Sequence, residues 1–176
     1  MSTNPAPRKV REARKAVAVP SSFEALDQTH AEVMRMLAEF ALLLHHVDDN
    51  GADEHARASA RRLSDFFSGT AHQHHAEEER LVFPAVKAGG DAQMIQHIER
   101  LQQDHGWLEE DWHELSPQIE AIAMGYSWYD LNHLRHALPV FEALYREHIA
   151  LEESLIYPEA RRRLEALAEG RRAEDR

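Results

Sequence analysis

An eleven-residue segment occurs twice in this chain, and it leaves few folds open. His74-His75-Ala76-Glu77-Glu78-Glu79-Arg80-Leu81-Val82-Phe83-Pro84 aligns without gaps on His148-Ile149-Ala150-Leu151-Glu152-Glu153-Ser154-Leu155-Ile156-Tyr157-Pro158. Six positions are identical, and the Val/Ile and Phe/Tyr pairs are conservative. In each copy His at i and Glu at i+4 share one helix face, about 6 Å apart. Both pairs also fall on stripes that otherwise read as core. A carboxylate on a buried face costs several kcal/mol unless it is paired or bound to a cation. A helical fold with a cation in its core resolves the conflict.

Apolar residues recur in steps of three and four along four stretches, the period of amphipathic helices. The first stripe is Leu26, His30, Val33, Leu37, Phe40 and Leu44, opened by a Ser21/Glu24 capping box and closed near Gly51. The second runs Leu63, Phe67, Thr70, His74, Glu78, Leu81 and Ala85, ending around Pro84 and Gly89-Gly90. Met94, Ile98, Leu101, His105, Leu108, Trp112 and Leu115 form the third, with Pro117 as an expected kink. The fourth, capped by Ser127 or Asp130, carries Leu134, Leu138, Phe141, Tyr145, His148, Glu152 and Leu155, and Pro139 interrupts or begins it. A separate short helix is expected over 160–168. No alternating strand pattern is present. The fold expected is all-α, an antiparallel up-down-up-down four-helix bundle. Residues 1–20 read as a flexible basic arm, 21–160 as the bundle, and 161–176 as a charged helical extension.

The net charge of −11 argues against nucleic acid as a partner. No run approaches the ~20 apolar residues of a membrane span, and the start lacks a signal-peptide core. Cysteine is absent, which removes disulfides, thiolate sites and cysteine nucleophiles, and a cytoplasmic location is expected. Charged ends are compatible with a monomer or a weak dimer.

Histidine is the anomaly, at 13 of 176 residues. His30, His74, His105 and His148 each sit near the middle of a stripe, so an antiparallel bundle brings them to one level with Glu78 and Glu152. Two symmetric carboxylates between two ions would bridge them, with histidines completing each ion. His75 adjoins His74 and is a candidate seventh ligand by swinging inward, although the helix flank is the commoner place for such a neighbour. His97 lies too far along its helix to join the same ion. Tyr145, just before His148, is a candidate hydrogen-bond donor to the ligands. Imidazole and carboxylate without thiolate suit iron best, with manganese and zinc as alternatives.

These residues resemble the hemerythrin family, in particular its HHE cation-binding branch, over about residues 22 to 160. The resemblance rests on His30, on His74 with Glu78, on His105, and on His148 with Glu152, in order and spacing. It implies two iron ions, oxo- or hydroxo-bridged, with Glu78 and Glu152 as bridges and the histidines as terminal ligands. Two departures from the oxygen-carrying members stand out. Leu101 occupies the turn before His105 where they carry a second histidine, and Glu152 follows His148 by four residues where they use Asp after five. Two functions are implied. One is a non-haem diiron protein that binds dioxygen, nitric oxide or peroxide for sensing, storage or stress response, acting through an unknown protein partner. The other is a diiron redox enzyme acting on peroxide or nitric oxide, or in iron-cluster repair.

Overall fold

The structure, a computed structural model, describes residues 22–174. The expected arm over 1–20 and the Ser21 half of the capping box lie outside the described residues. Within them the chain is all-helical and forms four helices. These are α1 (Ser22–Asn50), α2 (54–87), α3 (Ala92–Met124) and α4 (131–174). Three short connections join them. Asp53, Asp91 and Asp130 cap α2, α3 and α4, each side chain accepting from the backbone N–H three residues on. Gly51 and Gly125 end α1 and α3 at φ of +68° and +75°, which glycine adopts without a Cβ clash. Pro117 and Pro139 both lie inside helices.

The extension is not a separate helix. Residues Tyr157–Glu174 continue the path of α4, with Pro158 at the second position of that segment. The extension packs back on the rest of the molecule: Arg161 reaches Asp27 at 2.6 Å and lies 4.9 Å over the Phe23 ring.

Two of the four helices are not uniformly α. In α2, π-helical stretches occupy Phe66–Ala71 and Glu78–Val82; in α4, one occupies Glu152–Ile156. The last two begin at the two repeated glutamates. Pro84 and Pro158 offer no N–H to the carbonyls of Arg80 and Ser154, so the α-helical bond there is lost. The path widens, and the N–H groups of Phe83 and Tyr157 donate five residues back, to the carbonyls of Glu78 and Glu152. Pro117 and Pro139 lie in stretches that stay α-helical, so proline removes the competing bond and local packing selects the wider turn.

The widening shifts which residues face inward. A strict helical period places Leu81 and Ala85, and in the fourth stripe Leu155, on the buried face. They are only half-buried, and Thr70 is exposed. Ala71, Val82, Phe83 and Val86 on α2, and Ile156, Tyr157 and Ala160 on α4, are buried in their place. One extra residue per widened turn accounts for the change.

The apolar core is divided. A larger cluster, including Phe40, Leu63, Phe67, Ile119 and Phe141, fills one end of the molecule. A smaller one, including Phe23, Leu26, Phe83, Ile98, Leu101 and Tyr157, fills the other. Leu101 is fully buried in the smaller cluster, where it packs. Between the two clusters lies a polar layer.

Candidate metal centre

That layer holds His30, His74, His75, Glu78, His105, His148 and Glu152, all buried, with both glutamates at 0 % exposure. All four helices contribute. The repeat supplies His74–Glu78 at 3.2 Å on α2 and His148–Glu152 at 3.3 Å on α4. From α1, His30 turns Nε2 to Glu152 at 3.2 Å and to Glu78 at 3.7 Å. From α3, His105 turns Nε2 to Glu78 at 3.3 Å and to Glu152 at 4.0 Å.

The donor atoms fall into overlapping groups, each with its atoms within 4.8 Å of one another. One is His30, His74, Glu78 and Glu152; another is Glu78, His105, His148 and Glu152; a third is His75, His105 and His148. Both glutamates belong to both four-donor groups. His75 lies inward, its ring stacked 4.1 Å from that of His105, so the helix-flank placement does not hold.

In this layer the two glutamates and the histidines shift one another's protonation. Burial pulls the His30 imidazole down, but Glu152 and Glu78 hold it up at about 10. His148 is likewise pulled down by burial and held up at about 9 by Glu152 and Asp104. Burial pushes His74 down, and burial with the neighbouring His105 pushes His75 well down. Burial raises the Glu78 carboxyl, yet the facing imidazoles of His105, His30 and His74 carry it well below the usual range. Even so, many polar atoms have no hydrogen-bond partner among the described residues. They include both nitrogens of His74, His148 Nε2, His105 Nε2, Glu78 Oε2 and both Glu152 oxygens. Buried polar atoms are ordinarily satisfied, and bare nitrogens and carboxylate oxygens gathered this closely fit a metal site.

Outside the cluster stands a second set of carboxylates that the periodicity did not single out. Glu79 accepts from His105 Nδ1 at 2.9 Å, and Glu153 accepts from His30 Nδ1 at 3.0 Å. Each is the residue after a cluster glutamate, so the repeat extends to this outer ring: the first Glu faces inward, the second holds a histidine of another helix. Asp104, buried on α3, faces His148 Nδ1 at 3.8 Å and Arg100 Nε at 3.8 Å. A carboxylate on Nδ1 keeps the proton there and leaves Nε2 bare toward a metal. The signal for Glu79 and Glu153 was present in the repeated Glu-Glu. Asp104 had none beyond standing beside His105.

Tyr145 does not supply the hydroxyl expected of it. It stacks 6.0 Å from His75 and, with Phe67, Leu108 and Trp112, walls a surface cavity of about 200 Å³ that reaches His75. Tyr157 supplies the contact: its Oη donates to Glu78 Oε1 and lies 3.1 Å from His30 Nε2. His97 is half-buried and outside the donor groups.

Comparison with known proteins agrees with this geometry. Residues 21–160 match the model of the hemerythrin HHE cation-binding domain. The chain belongs to that family. A protein of Haemophilus influenzae with no assigned function is 29% identical over 133 residues, covering 75% of this chain and 74% of its own. No solved structure matches. A hemerythrin HHE domain is a cation-binding domain, and the buried His/Glu groups are where this one can hold a metal. Among the described residues no helix is long and apolar enough to cross a membrane.

Proposed function

We propose that this hemerythrin-family chain is a non-haem diiron protein that binds small ligands such as dioxygen, nitric oxide or peroxide, for sensing, storage or stress response. Glu78 and Glu152 would be shared between the two irons; His30 and His74 would hold one, and His75, His105 and His148 the other. The observation that carries the reading is the bite of Glu78: Oε1 lies 3.2 Å from His74 and Oε2 lies 3.3 Å from His105, so its two oxygens serve different histidine sets. His75 fills the need that Leu101 leaves, standing against His105 where a second α3 histidine is missing. Short connections between successive helices support the antiparallel up-down-up-down arrangement.

A bound iron pair supplies binding and electron exchange to a small ligand at a coordination position the protein does not fill. The chain's own residues do the rest. Glu79 and Glu153 fix the tautomers of His105 and His30, Asp104 sets a negative charge near His148, and the apolar clusters on either side keep bulk water from the layer. The cavity walled by Phe67, Leu108, Trp112 and Tyr145 admits small molecules toward His75. A cytoplasmic location and an unidentified protein partner belong to the same reading.

Elemental analysis of iron-loaded chain tests it. Two irons per chain are expected, one for each four-donor group. The double variant Glu78→Ala, Glu152→Ala should bind none while keeping its helical circular dichroism. Full iron content in that variant would sink the reading. Reduced, iron-loaded protein should take up nitric oxide reversibly, read by electron paramagnetic resonance.

A further inference from the structure

The two copies of the repeat place an aromatic ring at the same point, and only one of the rings carries a hydroxyl. Five residues after each cluster glutamate, the ring stacks on a histidine from another helix. Phe83 lies on His105, with centroids 5.5 Å apart and planes at 16°; Tyr157 lies on His30, at 5.2 Å and 12°. Phe83 ends there. Tyr157 extends Oη into the polar layer, 3.1 Å from His30 Nε2 and in contact with Glu78 Oε1. Both of those residues belong to the donor group of His30, His74, Glu78 and Glu152. Neighbouring donors around a six-coordinate ion with bonds of about 2.1 Å lie about 3 Å apart, so Oη stands at the separation of one more ligand.

The histidine count points the same way. Three imidazoles, His75, His105 and His148, gather on one side, and two, His30 and His74, on the other. The hydroxyl stands on the side with two.

We propose that Tyr157 is a metal ligand, its phenolate oxygen completing the iron held by His30 and His74. This rests on the diiron reading above and adds to it an inequality between the two irons. Each ion then has five protein donors, one set with three imidazoles and the other with two imidazoles and a phenolate. On binding, the phenol proton that Glu78 accepts in the metal-free chain leaves to solvent, and Glu78 Oε1 turns to the ion. A phenolate is a hard anionic donor, so this iron is held more firmly as ferric than its neighbour.

Resonance Raman and visible absorption of the full-length ferric protein test the proposal, with metal content measured on the same samples. The iron-replete chain should show a phenolate-to-iron charge-transfer band whose excitation enhances tyrosine ring modes, and growth on ring-deuterated tyrosine should shift those modes. Tyr157→Phe should abolish the band while keeping both irons; Phe83 shows that a phenyl ring suits the equivalent place. Tyr145→Phe should leave the band unchanged. An iron-replete wild-type chain without the band, or a band that survives Tyr157→Phe, would overturn the assignment while leaving the diiron reading intact. A chain that takes up no iron would overturn both.

Discussion

Each imidazole has two nitrogens, and the partner of the outward one decides what the inward one can do. His30 and His105 have their outward nitrogens held by Glu153 and Glu79 at hydrogen-bond distance. His148 faces Asp104, a carboxylate with one oxygen unpartnered among the described residues and so free to tighten when a metal draws charge from the ring. Asp104→Asn keeps the shape and removes the charge. It is expected to weaken metal binding roughly 10–100-fold, the usual effect of losing such an outer partner, with helical content unchanged. Competition against a chelator of known affinity measures it. An affinity equal to the wild type's would show that Asp104 does not hold His148. At this scale the cluster glutamates and four histidines were legible from their offence against an apolar stripe. Asp104 was not, because one acid beside a stripe looks like any solvated residue until a neighbouring helix covers it.

Within the helices, the π stretches are what the stripe could not show. A period of 3.6 residues puts the fifth residue after a glutamate about 140° away from it, off the buried face. In the folded chain that residue is Tyr157, buried and touching the cluster, because the turn between them holds one residue more. The same slip moved Leu81 and Leu155 outward. The matched Pro84 and Pro158 marked the places where an α-helical bond had to be lost, though not which way the path would give. Pro158→Ala restores an N–H that can reach the Ser154 carbonyl and retighten the turn. The metal-free variant should gain about 1 kcal/mol, the worth of a typical hydrogen bond, and should bind metal less tightly because Tyr157 and Glu152 rotate. Thermal unfolding and metal titration on the same protein check the pair of effects; neither changing would mean that proline does not hold the wider turn open.

For the whole molecule, the polar layer makes stability depend on pH and on metal. His30 and His148 titrate above the ordinary 6.5, at about 10 and about 9. Their contribution in the metal-free chain is full below 6.5 and is lost as pH rises through 9 and 10. His74 and His75 titrate below 6.5, and Glu78 below 4.5; their contributions are present above those values and fade as pH falls. The metal-free chain should therefore be most stable near pH 6.5 and should weaken on both sides. Iron-loaded protein should lose the alkaline limb, since ligating histidines are neutral, and loading at pH 7 should release protons. Thermal midpoints across pH, with and without iron, test this; an alkaline limb of equal depth in both would contradict it.

The amino-acid sequence alone determined the all-helical class, the duplicated His/Glu pairs, and the level at which four helices would have to meet. Those follow from local spacing and from the cost of burying charge. The tertiary structure decided what spacing cannot express. It turned His75 inward, set Glu79, Glu153 and Asp104 behind the histidines, packed Leu101 as core, and carried the Tyr157 hydroxyl into the layer. Each of these depends on a neighbouring helix or on one extra residue in a turn, and neither leaves a period in the chain.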